Sequence, residues 1–249
     1  MAGHSKWKQI KRKKAVTDQR RASAWTKLIR EITVAAKAGG GDPGGNPRLR
    51  LAIDTARAAN MPNENIDRAI KKGTGELEGA TYEEVTYEGY GPGGTAILIE
   101  GSTDNPNRTV AEIRHAFSRN GGNLGASNSV AWMFDRKGQL VLDAGRHDED
   151  TAMEHALEAG AEDFAREGDQ FLVSTTPSDL HQVQEGLAAR GYAIESAEIA
   201  MVPKNLVKVE GAEAERIIKL IEALEDLDDV SKVFSNFDID ASALAEAES

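Results

Sequence analysis

The chain has 249 residues, of which 40% are hydrophobic, 5% aromatic and 29% charged, with 24 glycines, no cysteine and a formal net charge of −11. At roughly 100–200 residues per domain, this length accommodates between one and three domains with real cores. The lack of cysteine excludes disulfides, thiolate nucleophiles and Cys-based metal sites. No apolar run reaches the ~20 residues of a membrane span, and the opening MAGHSKWKQI lacks a secretory apolar core, so a cytoplasmic protein without membrane partners is expected.

The charge is divided unevenly along the chain. Residues 1–75 carry 17 basic against 6 acidic side chains, a net of +11, whereas the remainder carries 13 against 35, a net of −22. Such asymmetry points to a basic segment that binds nucleic acid, carried on an acidic body. Within the first thirty residues Lys6, Lys8, Lys11, Arg12, Lys13, Lys14, Arg20, Arg21, Lys27 and Arg30 face one acid, Asp18. Most charge runs are solvated tails, but here Trp7 and Ile10 interleave with the cations, as an arm that docks on a polyphosphate requires. Trp7 either stacks on a base or plugs the helices that follow.

After this arm, residues 1–22, three helices are expected over 23–75. Residues 23–38 place Trp25, Leu28, Ile29, Ile32, Ala35 and Ala36 at three-and-four spacing. The glycine-rich run Gly39–Gly45 ends that helix and reads as a flexible turn. A second helix follows Pro47 with Leu49, Ile53 and Ala56 on one face, and Arg48 and Arg50 extend the basic patch across the bundle. A third, capped by Asn63, carries Ile66, Ala69 and Ile70 and stops at Gly73. Residues 74–81 read as a linker.

The acidic body reads as α+β. Strands are expected over Thr95–Ile99 and Val130–Phe134, around a helix capped by Asn105-Pro106 and running to Arg119. Residues 137–203 follow the order β-α-β-β-α-β, and residues 204–238 give strand, helix, strand. The fold class expected is a three-helix bundle followed by two ferredoxin-like α/β domains, with 137–203 inserted into a domain made of 82–136 and 204–238. Arg108, Arg114 and Arg119 are expected to be salt-bridged to the acidic body.

No catalytic constellation, metal site or cofactor motif emerges. The glycines of GYGPGG match a dinucleotide fingerprint on paper, but Pro92 intervenes and a strand follows, so a hairpin loop is expected. The five histidines form no ligand pair with a third donor. The basic-Gly-aromatic signature of RNA-recognition motifs is absent.

Several motifs in order resemble the YebC family: GHSKW at Gly3–Trp7, GGGDP ending at Pro43, NPRLR from Asn46, NMPNENIDRAIKKG from Asn60, YEGYGPGG from Tyr87, and DNPNRT through GGNLG. The resemblance spans residues 3–238. That family includes bacterial proteins named probable transcriptional regulators and a mitochondrial translational activator of cytochrome oxidase subunit I. It implies an N-terminal helical domain with two α/β domains, no enzymatic activity, and either DNA binding or ribosome association, including help with proline-rich stretches. One departure is Asn128, where the family usually has glycine; asparagine tolerates the left-handed backbone such a turn needs.

The expectation is thus a non-enzymatic nucleic-acid-binding regulator of gene expression. Lys6, Trp7, Lys8, Lys11, Arg12, Lys13, Lys14, Arg20, Arg21, Lys27, Arg30, Arg48 and Arg50 form its contact set, and the target is DNA or ribosomal RNA. A third alternative is a protein-interaction module whose acidic domains take a basic protein.

Overall fold

The computed structural model describes residues 18–145 and 147–239, with side chains described from Ala24 onward. The fold is mixed α+β with N-terminal helices and antiparallel sheets, and it divides into two compact units: Met133–Lys204, and the residues on either side of that segment.

In the larger unit three helices come first: α1 (Asp18–Gly39), α2 (Pro47–Ala58) and α3 (Asn63–Thr74). Helix α1 begins five residues before the predicted start. The apolar stripes meet in one core of Ile32, Ala35, Ala36, Leu49, Ile53, Ala56, Met61, Ile66 and Ala69, with Trp25, Leu28 and Ile29 against it. Helix α3 opens on Pro62 with no side-chain cap, so Asn63 is not the cap its position suggested, and it ends on Gly75, whose φ is 83°. Gly73 lies at the closest approach of α3 to α1. A Cβ there would sit 2.4 Å from the Thr33 carbonyl oxygen and 2.7 Å from the Ala36 Cβ.

The glycine-rich connection between α1 and α2 is strapped rather than loose. Buried Asn46 caps α2 by accepting from the Leu49 N–H at 3.1 Å, while its Nδ2 donates to the carbonyls of Ala35 at 2.8 Å and Gly40 at 2.9 Å. Asn before Pro at the first helical position is the sequence form of such a cap.

The sheet of this unit has the order β3 (Asn123–Leu124), β1 (Glu83–Tyr90), β2 (Ala96–Thr103), β9 (Val230–Ser235). Strands β1 (Glu83–Tyr90) and β2 (Ala96–Thr103) form an antiparallel hairpin around the Pro92–Gly94 turn. Helix α4 (Pro106–Arg119) leads to the short β3 (Asn123–Leu124). The predicted strand at Val130–Phe134 is not formed. A 3-10 turn occupies Ala131–Met133, and Phe134 instead opens β4 (Phe134–Asp143) in the other unit.

That second unit continues with α5 (Glu149–Ala159), β5 (Asp163–Glu167), β6 (Gln170–Thr175), α6 (Leu180–Ala189) and β7 (Ile194–Pro203). Its strand order, β5-β6-β4-β7 with every neighbour antiparallel, is that of a ferredoxin-like split β-α-β. The chain then returns through β8 (Val207–Lys208), α7 (Gly211–Glu225), β9 (Val230–Ser235) and β10 (Phe237–Asp238). Helix α7 packs Ile217, Leu220, Ile221 and Leu224 with Ile97, Ile99, Ile113 and Phe117 into the core beneath β1 and β2.

A buried carboxylate joins the helices to this sheet. A register shift between Glu100 and Gly101 brings the returning chain against β2, and a Cβ on Gly101 would lie 2.2 Å from the Asp229 carbonyl oxygen. Only glycine admits that approach. The Asp229 side chain is 2% exposed. Its Oδ1 meets Arg30 of α1 at 2.5 Å, and its Oδ2 takes bonds from Arg108 at 2.7 Å, Thr109 at 2.6 Å and Thr103 at 3.1 Å. Burial alone would raise the carboxyl pKa. The donors from Thr109, Arg108 and Arg30 outweigh it and hold the group below the usual carboxylate range.

Two expected outcomes follow from this packing. Replacing Asp229 with Asn removes the buried counter-charge of Arg30, leaves Arg108 only the exposed Asp104, and should cost about 3 kcal/mol in denaturant unfolding. Because the native carboxyl titrates below its unfolded value, the stability it contributes is present above about pH 4 and is lost as the pH falls through the native value. Gly73→Ala, which improves helix propensity by roughly 1 kcal/mol, should nonetheless destabilise by about 1–3 kcal/mol, because a backbone carbonyl cannot yield the space.

Candidate nucleic-acid interface

The basic residues expected to contact nucleic acid fall into three groups. Lys6, Trp7, Lys8, Lys11, Arg12, Lys13 and Lys14 lie outside the described residues. Arg20 and Arg21 belong to the first turn of α1, from which the segment carrying the other seven leads. Lys27, Arg30, Arg48 and Arg50 lie on α1 and α2 with their side chains described.

Those four are held by the protein itself. Lys27 donates to the Glu225 carbonyl at 2.5 Å, and Arg30, 13% exposed, binds the Asp228 carbonyl at 2.7 Å as well as Asp229 and lies 5.2 Å from the centre of the Tyr82 ring. These two cations therefore lie in the contact between α1 and the connection from α7 to β9. Arg48 bridges Glu31 of α1 at 2.8 Å and Glu84 of β1 at 2.7 Å. Burial disfavours its charge, but Glu84 and Glu31 overcome that and raise its pKa. Arg50 donates to the carbonyls of Pro43 at 3.0 Å and Gly44 at 2.9 Å, closing the glycine-rich turn. Arg48 keeps an exposed edge beside its partners; Arg50 is half-buried.

Sequence reasoning passed over other cations. Arg57 at the end of α2, and Lys71 and Lys72 at the end of α3, are exposed; near helix C-termini they also suit the macrodipole. Among the described residues, the salt bridges expected for the α4 arginines form at Arg108, which meets Asp104 at 3.0 Å in addition to Asp229; Arg114 and Arg119 are exposed.

Helices α2 and α3 are joined by residues 59–62, with Asn60 at a φ of 56°, a connection as short as that of a helix-turn-helix. The outer face of α3 does not suit a major-groove reader. It carries Glu64 and Asp67 in its first half, and its Arg68 is paired with Glu64 at 2.8 Å. Readers of that class present their helix N-terminus to the bases between two lines of phosphate, where carboxylates repel. The described helices thus offer scattered positive charge rather than a recognition surface, and the dense charge lies on the segment that enters α1.

Among the described residues, no group of His, Asp and Glu has the spacing of a metal site, and no helix is long and apolar enough to cross a membrane.

Comparison with known proteins agrees with this architecture. The family model described as the TACO1/YebC protein N-terminal domain matches residues 5–76, and that of the TACO1/YebC second and third domain matches residues 82–237. A probable transcriptional regulatory protein of Gemmatimonas aurantiaca is 62% identical over 247 residues, covering 99% of this chain and 100% of the relative. A protein of the same name from Chlorobaculum tepidum is 58% identical over 246 residues, covering 98% of each. The crystal structure of a conserved hypothetical protein from Aquifex aeolicus superimposes with a TM-score of 0.83 at 49% identity, covering 90% of this chain and 92% of that one. With both family models matched in order and relatives similar over their whole length, the chain is a member of the TACO1/YebC family.

Proposed function

We propose that this protein is a non-enzymatic regulator of gene expression that binds nucleic acid through its N-terminal basic segment, acting on transcription by binding DNA. The observation that carries the reading is the charge division: +11 over residues 1–75 against −22 over the rest. A phosphodiester backbone is attracted to the first part and repelled by the mean surface of the second, so contact is confined to one end of the molecule. The names of the relatives, probable transcriptional regulatory proteins, support the regulatory role.

Lys6, Lys8, Lys11, Arg12, Lys13, Lys14, Arg20 and Arg21 are the phosphate contacts in this reading, with Arg48 at the edge of the bundle. Such contacts position a protein on its target without specifying sequence. Lys27 and Arg30 act instead by fixing the helices that carry the segment, and Arg50 by fixing the turn before α2. Ribosomal RNA is the second reading. The same segment would grip it, and the acidic remainder would face basic ribosomal proteins, which gives the −22 a use that duplex DNA does not.

The test keeps the full chain and replaces Lys6, Lys8, Lys11, Arg12, Lys13 and Lys14 with glutamine. Retention on duplex DNA in a mobility shift, or on ribosomes in sedimentation, should fall by at least about tenfold while the thermal unfolding profile is preserved. Unchanged retention on both rejects the segment as the grip. For the unsubstituted protein, the logarithm of affinity should decline linearly with the logarithm of salt, with a slope of about 0.9 per phosphate contacted on duplex DNA. A flat response contradicts a phosphate grip.

A further inference from the structure

A second surface lies on the sheet of the larger unit. Strand β1 pairs Tyr90 with Asn123 of β3, and the segment 125–131 after β3 folds around the carboxylate of Glu88. Glu88 is 6% exposed. Its Oε1 accepts from the backbone N–H of Asn128 at 2.6 Å, and its Oε2 accepts from those of Val130 at 2.7 Å and Ala131 at 2.8 Å. Burial pushes this carboxyl's pKa up, but the converging N–H groups of Val130, Asn128, Ala131 and Ser129 pull it further down, so it stays ionised. Asn128 helps the loop close on the carboxylate by adopting a φ of 63°.

Two aromatic side chains complete the loop. The Tyr90 hydroxyl donates to the Ser129 carbonyl at 2.9 Å, and the Trp132 Nε1 donates to the same oxygen at 3.1 Å. Trp132 is nevertheless 65% exposed, the highest value among the exposed large hydrophobic side chains of the described residues, and Tyr90 is 40% exposed. Asn123, Ser127 and Asn128 are exposed around them.

The chemistry of this arrangement is selective. Consecutive backbone N–H groups make an anion cradle when they are open, but here Glu88 fills them, so the loop does not recruit a phosphate. What faces outward is an indole whose orientation is set by its own hydrogen bond, beside a tyrosine ring and uncharged amide and hydroxyl groups. Aromatic faces stack on bases, and amides and hydroxyls bond base edges. Both faces of a base inside a duplex are already covered by its neighbours.

We infer that Trp132, with Tyr90 beside it, is a stacking platform for an unpaired base of a single-stranded nucleic acid. The inference rests on the nucleic-acid reading above, in which the basic segment holds the phosphates and this loop holds a base. Glu88 is a positioning residue for the loop and does not touch the base.

The experiment measures fluorescence anisotropy of a labelled oligouridine, and of a duplex DNA of equal length, with the full chain and its variants. Trp132→Ala should weaken oligouridine binding by about fivefold or more and leave duplex binding within about twofold, and Trp132→Phe should restore most of the loss. Because the side chain is mostly in solvent, neither variant should shift the thermal unfolding midpoint. Oligouridine binding by Trp132→Ala within about twofold of the parent overturns the inference, as does an equal loss on duplex DNA. A proline-rich peptide whose binding depends on Trp132 when oligouridine binding does not also overturns it, and would assign the ring to a protein partner. The two readings fail differently. If glutamine substitution of the basic segment abolishes binding while Trp132→Ala has no effect, only the platform is rejected; if neither probe binds the full chain at low salt, both readings are rejected.

Discussion

The arrangement of the larger unit depends on one buried carboxylate. Asp229 is withdrawn from water between β2 and the end of α7, and it is tolerated there because Arg30, Arg108, Thr103 and Thr109 satisfy both of its oxygens. Arg30 belongs to a helix and Arg108 to the α/β layer, so one ion pair network couples two elements that composition alone would treat as separate modules. Lys27 on the Glu225 carbonyl and Arg48 between Glu31 and Glu84 repeat the device at lower burial. These contacts fix α1 and α2 against the rest of the larger unit.

This use of cations changes how the charge of the N-terminal region is understood. Part of the +11 is structural: several arginines and lysines of the helices are matched by carboxylates and carbonyls of the sheet layer. Among the described residues, Arg57, Lys71 and Lys72 at the ends of α2 and α3 are exposed, and the densest run of cations in the sequence precedes α1. The acidic surplus of the rest of the chain then has two roles, supplying counter-charges at the seam and keeping polyanions from the wider surface. The proposed grip on phosphates at one end draws on that division.

Much of the fold was legible in the sequence because its local and global preferences agree. The three-and-four spacing in α1, α2 and α3, the Asn105-Pro106 start of α4 and the order of elements over 137–203 all carry their own signals. Strand β1 was hidden because Val85 and Tyr87 alone carry its apolar alternation, and Glu88, at a polar position of that alternation, is buried to organise a loop some 40 residues away. The left-handed backbone at Asn128 could be anticipated from the tolerance of asparagine. The positions of Lys27 and Arg30 could not. Their partners lie 198 and 199 residues along the chain, and nothing local distinguishes a lysine bound for phosphate from one bound for a carbonyl. Trp132 was likewise invisible, since exposure of an aromatic is a tertiary property.

Whether nucleic acid is held at the basic N-terminal segment is tested by ultraviolet crosslinking in cells, followed by mass spectrometry of nucleotide-modified peptides and sequencing of the attached DNA and RNA. Adducts should concentrate on peptides from residues 1–21, with the sequenced strands deciding between DNA and ribosomal RNA. Adducts confined to the acidic residues beyond 75 with none at the front of the chain, or no nucleotide adducts at all, would contradict it.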